Sequence, residues 1–429
     1  MSLHEKNTEA TQGVVKTYIA RIRAFKPNAW KYLISILIYG MGYGVYNILL
    51  NFYLRSLGYD ETFMGLVATT ASMTVLIAAL PMGYLADMLG RKRSLVISSL
   101  LIGPSIVLMV LFPSSAMFIA MNIILGIGSS LGGVTTGPFL MENSGEVERT
   151  YLFSIASGLQ MAALSVGNWI GGYLPTWFGA LHGTTATSPS AYAWAIGASG
   201  VMVFLAVIPR LMLKRNKLAT GEKSAFAPIS FIRKNPGMLS KLLLPMFMTS
   251  IGAGLIMPFM NIFFSTVHHQ PDQTIGMIFA WGSLAMGVGF VLAPAFADRY
   301  GKIKVVVVTQ ALSIPFLILL GFSPWFSLSL VAYFIRVILM NMSSPVYQTF
   351  VMEQVDSDSR AMVASLNSMV QSFGRAFSPI ISGQLQVSYG FDLPFIGTII
   401  MYVISIAMYY AFFLKKKKGP EKQGDYAAD

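Results

Sequence analysis

The sequence has no cysteine and very little charge. Without a thiol among its 429 residues, disulfides, thiolate catalysis and cysteine metal sites are excluded. Charged residues make up 11% of the chain and only four histidines occur. His4, His182, His268 and His269 form no cluster with Asp or Glu. No metal centre, no cofactor and no enzymatic activity are therefore expected. The phosphate-cradling pattern Gly-x-x-x-x-Gly-Lys-Ser/Thr is also missing, so ATP is not the fuel of whatever the protein does.

What the sequence does have is apolar length. Hydrophobic residues make up 55% of the chain and aromatic residues 13%, above the roughly 45–50% apolar content of soluble domains. Runs near the length of about 20 residues needed to cross a bilayer fall at approximately 31–54, 63–85, 94–112, 115–140, 151–175, 191–213, 241–265, 273–297, 304–322, 326–349, 361–387 and 393–414. This predicts an all-α integral membrane protein with twelve transmembrane helices. The first run follows a basic tail with no small-residue cleavage site and reads as a retained helix.

The formal net charge of +12 is explained by topology and calls for no nucleic-acid partner. Of the 30 Lys and Arg, 27 fall in the tails and even-numbered links, while the odd-numbered links hold only Arg55. By the positive-inside rule both termini and the even links are cytoplasmic, in a multi-pass protein of a cell membrane, expected to be a prokaryotic inner or plasma membrane.

A repeat is written into the chain. Asp87 and Asp298, Gly90 and Gly301, Pro104 and Pro315, Glu142 and Glu353, Arg149 and Arg360, Gln160 and Gln371, and Gly172 and Gly383 are all 211 positions apart. One six-helix unit is present twice in parallel orientation, because an even number of spans returns the chain to the same side. The expected organisation is a tail over 1–30, a six-helix half over 31–213, a cytoplasmic linker over 214–240, a second half over 241–414 and a tail over 415–429. The linker is strongly basic from Pro209 onward, and the four lysines from Lys415 anchor the last span.

Between the second and third spans, Gly83-Tyr-Leu-Ala-Asp87-Met-Leu-Gly90-Arg91-Lys92-Arg93 resembles the signature loop of the major facilitator superfamily. A weaker copy, Asp298-Arg-Tyr-Gly301-Lys302, lies between spans 8 and 9, and Met88 departs from the usual basic residue. The resemblance implies two pseudo-symmetric halves that rock around a central path. It also implies a contact at Asp87 that latches them at the cytoplasmic face. The chemistry agrees: Gly83 permits close helix approach, Gly90 a turn, and Asp87 needs a helix N-terminus or arginine as partner. A second latch is expected from Glu142-x6-Arg149 and its repeat Glu353-x6-Arg360, with Arg91, Asp298 and Gly301 completing the gating set.

Polar residues inside spans mark a cavity or a helix–helix bond. Span 1 has Tyr39, Tyr43, Tyr46 and Asn47 at helical spacing, and span 11 has Asn367, Gln371 and Arg375. Spans 4, 5 and 10 add Asn122, Gln160, Tyr333, Arg336 and Asn341. For the tyrosines and amides, helix–helix hydrogen bonding and substrate contact stand about even. For Arg336 and Arg375 an anionic substrate group is the economical partner, with helix carbonyls or snorkelling as the alternatives.

No acid is expected at mid-membrane, since all 18 fall in tails, links or helix ends. Two patterns of the resembled family are also altered. Asn122 stands where a basic residue precedes Gly126-Ile-Gly128, and Asn168 replaces the proline of the span 5 antiporter pattern. The expected function is a secondary transporter working by alternating access. It moves a small organic solute or organic anion as a monomer in the lipid bilayer. A proton-coupled multidrug or lipid exporter is the alternative, and a non-transporting receptor a distant one.

Overall fold

The computed structural model describes residues 23, 25–145, 148–214, 236–354 and 360–415. Most of the expected N-terminal tail, residues 215–235 of the linker and the C-terminal tail beyond Lys415 lie outside the described residues, as do Glu146, Asp356 and Asp358. Among the described residues, twelve long helices follow one another. They are α1 Pro27–Ser56, α2 Glu61–Leu89, α3 Arg91–Leu111, α4 Ser115–Glu142, α5 Arg149–His182 and α6 Pro189–Leu211 in the first half. The second half has α7 Pro236–Thr266, α8 Asp272–Tyr300, α9 Lys302–Phe322, α10 Phe326–Glu353, α11 Arg360–Tyr389 and α12 Asp392–Leu414.

Helices are the only open-ended structure that satisfies every backbone group inside a bilayer, and local signals set where they start. The Asp60, Ser114 and Ser188 side chains accept from Phe63 N, Met117 N and Ala191 N at 2.9, 3.3 and 3.2 Å, capping α2, α4 and α6. Gly90 and Gly301 break α2 from α3 and α8 from α9 at φ of 80° and 86°, a region that side-chain-bearing residues avoid. Ten of the twelve helices are long and apolar enough to cross a membrane. The other two, α5 and α11, carry Gln160 and Asn168, and Asn367, Gln371 and Arg375. Each is packed against the opposite half, so it has less lipid to face.

The sequence repeat reappears in the fold. The boundaries of α2, α3 and α4 recur in α8, α9 and α10, each 211 residues later. Gly65 of α2 lies against the Pro379 carbonyl of α11, and Gly276 of α8 lies against the Asn168 carbonyl of α5. These are one contact made twice, because Gly65 and Gly276, like Asn168 and Pro379, are repeat mates.

The core shows where the halves meet. Near the α1–α2 link a single buried cluster takes in Ile48, Leu49 and Phe52 of the first half and Ile256, Phe259 and Phe263 of the second. Near Arg91 the core divides in two: Tyr32, Leu95 and Phe139 belong to a first-half cluster, and Leu242, Val306 and Tyr347 to a second-half cluster. The halves are therefore joined at the end bearing the α1–α2 link and separate at the Arg91 end.

Candidate functional site

Within the second half, α7, α10, α11 and α12, with contributions from α8 and α9, enclose a cavity of about 290 Å³. Four of the sequence candidates line it: Arg336, Asn341, Gln371 and Arg375. Arg336 is 2% exposed. Its Nη2 donates to the Tyr402 hydroxyl at 3.2 Å, its guanidinium lies 5.7 Å from the Tyr402 ring centroid, and its Nε has no hydrogen-bond partner. No carboxylate among the described residues pairs with it.

Magnitudes decide how well this charge is accommodated. A desolvated cation–π contact is worth about 2 kcal/mol and a hydrogen bond to a charged group about 1.5–3 kcal/mol. Burying the ion costs several kcal/mol, and one donor is unmet. The pocket is thus under-neutralised. Arg375 is exposed and donates to Gln371 Oε1 at 3.3 Å, one turn away on α11. Gln310 donates to Ser343 Oγ at 3.3 Å, and Met246, Met257, Met286 and Met340 supply an adaptable apolar lining.

The remaining candidates behave differently. Tyr333 is buried among Phe264, Phe279 and Phe334 and lies outside this lining, so packing is its role here. Asn367 is 3% exposed with Oδ1 unpaired, and it too lies outside the lining. Asn122 donates to Phe118 O of its own helix at 2.8 Å and to Met109 Sδ of α3 at 3.8 Å. An amide with both donors engaged by its helix and its neighbour has little left for a ligand. Tyr39 and Tyr43 stack at 5.5 Å, and Tyr43 and Tyr46 are 5.8 Å apart, forming a ring ladder along α1, while Asn47 and Gln160 are exposed. The first-half stripes are therefore not gathered into the second-half cavity.

Arg210 belongs to the basic stretch that begins at Pro209, yet it is 5% exposed inside the first half. It donates to Ser99 Oγ at 2.7 Å and Leu95 O at 3.0 Å and lies 5.6 Å from the Tyr39 ring centroid. Leu213 is buried and Lys214 N donates to Asn28 Oδ1 at 2.9 Å, so the chain stays packed on the first half as far as Lys214.

The latch differs from expectation in its partners. Arg91 bridges two acids, with Nη1 on Asp87 Oδ1 at 2.8 Å and Nε on Glu142 Oε1 at 3.0 Å. Its repeat mate Lys302 pairs with Glu353. The expected Glu142–Arg149 pair is not formed, and Arg149 Nε is buried without a partner. Packing explains this, since α4 lies along α3 and scarcely touches α5. The side chains of Asp298 and Arg360 lie outside the described ones; Gly301 adopts the expected turn. Gly83 was expected to admit a neighbouring helix, but nothing lies within 4 Å of a Cβ placed there. Asp87 has a 56% exposed side chain. At this end α2 stands apart from the other half, so the close approach is not made.

At the opposite end the halves are hooked together by residues that sequence reading missed. Asn51 donates to Pro258 O at 2.7 Å and to Asn261 Oδ1 at 3.0 Å, and Asn261 donates back to Ile48 O at 2.9 Å. Tyr192 donates to Asp272 Oδ2 at 2.6 Å, Ser165 to Ala280 O at 2.9 Å, and Ile380 N to Thr69 Oγ1 at 3.2 Å. The asparagine pair is reciprocal about the pseudo-twofold axis, with both Asn51–Asn261 and Ile48–Pro258 spaced by 210. That offset differs by one from the 211 of the rest of the repeat, which hid the pair from a fixed-offset search. Beside this seal, His268 is 8% exposed with Nε2 unpaired, among the rings of Phe263, Phe264 and Phe326. Burial, aided by neighbouring His269, lowers its pKa.

Comparison with known proteins agrees with this architecture. The family model described as Major Facilitator Superfamily matches residues 32–252 and 242–428. Multidrug resistance protein MdtG of Escherichia fergusonii is 24% identical over 371 residues, covering 84% of this chain and 86% of its own. MdtG of Enterobacter lignolyticus is 24% identical over 412 residues, covering 91% and 94%. The crystal structure of nucleoside transporter NupG is similar in fold at a TM-score of 0.73 and 16% identity, with 91% and 100% coverage. A bacterial homolog of the human lysosomal transporter Spinster, in an inward-facing and occupied conformation, gives a TM-score of 0.76 at 14% identity, with 91% and 98% coverage.

Proposed function

The chain belongs to the major facilitator superfamily of membrane transporters, and from that premise we propose that it moves a small organic anion by alternating access, binding it in the second-half cavity. One observation carries the substrate class. The Arg336 guanidinium lines a cavity, is 2% exposed and has an orphaned Nε, with no described carboxylate to neutralise it. An incoming anion supplies the missing charge, Arg375 and Gln371 receive it at the mouth, and Asn341 lines its path.

The moving bodies are 31–213 and 241–414. The Arg91 end is cytoplasmic, a reading supported by the 27-to-1 distribution of basic residues, so the conformation described above is open to the cytoplasm. The protein works as a monomer in a prokaryotic inner or plasma membrane and has no nucleic-acid partner. When it opens outward, the Asn51–Asn261 seal parts, Gly83 takes up a close helix contact and Asp87 exchanges partners with the opposite half. Tyr39, Tyr43, Asn47 and Gln160 then close on the substrate from the first half. Exchange of labelled anion in proteoliposomes tests this: flux should persist when an uncoupler collapses the pH gradient, and strict dependence on that gradient refutes uncoupled exchange.

A second reading, proton-coupled drug export, draws support from the MdtG relatives. Its signature is drug efflux driven by an imposed proton gradient and insensitive to loss of Arg336.

A further inference from the structure

A second cavity of about 560 Å³ lies between the halves, walled by α2 on one side and by the packed pair α7 and α11 on the other. Its lining side chains are all apolar, among them Ile77 and Leu80 from α2, Leu244 and Phe247 from α7, and Val370 and Phe373 from α11. Three of these side chains are strongly exposed, Ile77 at 72%, Leu80 at 53% and Phe373 at 46%. This chamber and the arginine cavity share one thin partition. On α7, Met246 faces the polar cavity and Phe247 the apolar one; on α11, Gln371 faces the polar cavity and Val370 the apolar one. Ser250 Oγ donates to Val370 O at 3.4 Å within the partition, and the Phe247 and Phe373 rings meet at 5.9 Å just beyond it.

We propose that this chamber is a binding site for the hydrocarbon body of the substrate, which is a single-chain amphipathic anion. The inference deepens the organic-anion reading and rests on it for the head group. Arg375, exposed beside the partition, holds the head, with Arg336 deeper in the polar cavity, and the body lies along Phe373 in the chamber. Three points support the assignment. The volume lies in the range of drug-sized ligand sites. The lining side chains carry no hydrogen-bonding group, so an apolar group gains most by entering. And one wall belongs to the first half, so an occupant bridges both moving bodies and its apolar surface is sensed when they close.

The test uses the full-length protein in lipid nanodiscs and n-alkyl phosphates from ethyl to decyl, with the matching n-alkanols as a neutral series. Affinity for the phosphates should rise with chain length, by up to about fourfold per buried methylene, until the chamber is full. Ile77→Trp and Leu244→Trp occupy the chamber from exposed positions with little risk to folding, and should flatten that gradient while leaving ethyl phosphate binding unchanged. Arg336→Gln and Arg375→Gln should weaken every phosphate and preserve the gradient. A gradient absent from the wild type, or one that survives both tryptophan variants, overturns the chamber. Alkanols that bind as tightly as the phosphates, together with arginine variants that bind phosphates normally, overturn the anionic head instead and with it the proposed substrate class.

Discussion

Replacing Arg336 with glutamine separates a structural arginine from a ligand-binding one. The side chain is 2% exposed, makes one hydrogen bond to Tyr402 and one ring contact, and leaves Nε unmet. Removing the charge forfeits about 1.5–3 kcal/mol of charge-assisted hydrogen bond and about 2 kcal/mol of cation–π attraction. It also relieves a burial penalty of several kcal/mol. These contributions nearly cancel, so the ligand-free variant should melt within about 1 kcal/mol of the wild type, or slightly higher. Binding is different, because an anion loses a desolvated partner worth about 2–5 kcal/mol, roughly 30-fold to several-thousand-fold in affinity. Thermal shift with and without octyl phosphate reads both quantities in one assay. A large loss of ligand-free stability with an undiminished ligand shift would make Arg336 a packing residue and refute the reasoning.

Further outcomes follow from the gates. Asn51→Ala and Asn261→Ala should each loosen the seal, and the double variant should add little, because the two side chains share one reciprocal network. The chain has no cysteine, so spin labels on introduced thiols across the α1–α2 end can read the widened distance distribution, and an unchanged distribution counts against the seal. Gly65→Leu and Gly276→Leu drive a side chain into a facing backbone carbonyl; both should stop transport while the protein still folds, and normal transport would place the contact outside the cycle. Arg91→Gln releases Asp87 and Glu142 together. Since exposed pairs contribute about 0–1 kcal/mol, melting should barely move while turnover falls at least tenfold, and wild-type turnover removes Arg91 from the gate. The lowered pKa of His268 means its neutral form stabilises the folded state fully above the ordinary value of 6.5. That stability is lost as pH falls through the lower folded-state value. His268→Phe should flatten the acid limb of melting temperature against pH, whereas an unchanged limb assigns it to other groups.

Much of the fold was legible because bilayer physics writes it directly into composition. The twelve apolar runs, the turn glycines Gly90 and Gly301 and the 211-residue repeat all follow from backbone satisfaction, φ preference and duplication, and each reappears in the helices. Site residues were harder because spacing does not reveal which way a side chain turns. Arg336, Asn341, Gln371 and Arg375 meet around one cavity, yet Asn122 bonds to its own helix and Tyr333 is packed among rings, outcomes that a polar residue at helical period cannot distinguish. The Glu-x6-Arg pattern misled for a related reason: neighbours in sequence are not neighbours in packing, and Glu142 found Arg91 across the α3–α4 contact. Arg210 looked like linker charge because its partners, Ser99 and the Leu95 carbonyl, lie more than a hundred residues away.

The most direct test of alternating access around the arginine cavity is counterflow of labelled octyl phosphate in proteoliposomes, comparing the wild type with the Arg336→Gln, Arg375→Gln double variant. Saturable exchange in the wild type, unaffected by uncoupler and lost in the double variant, is the predicted result. Exchange that survives loss of both arginines, or wild-type binding with no flux at all, contradicts it.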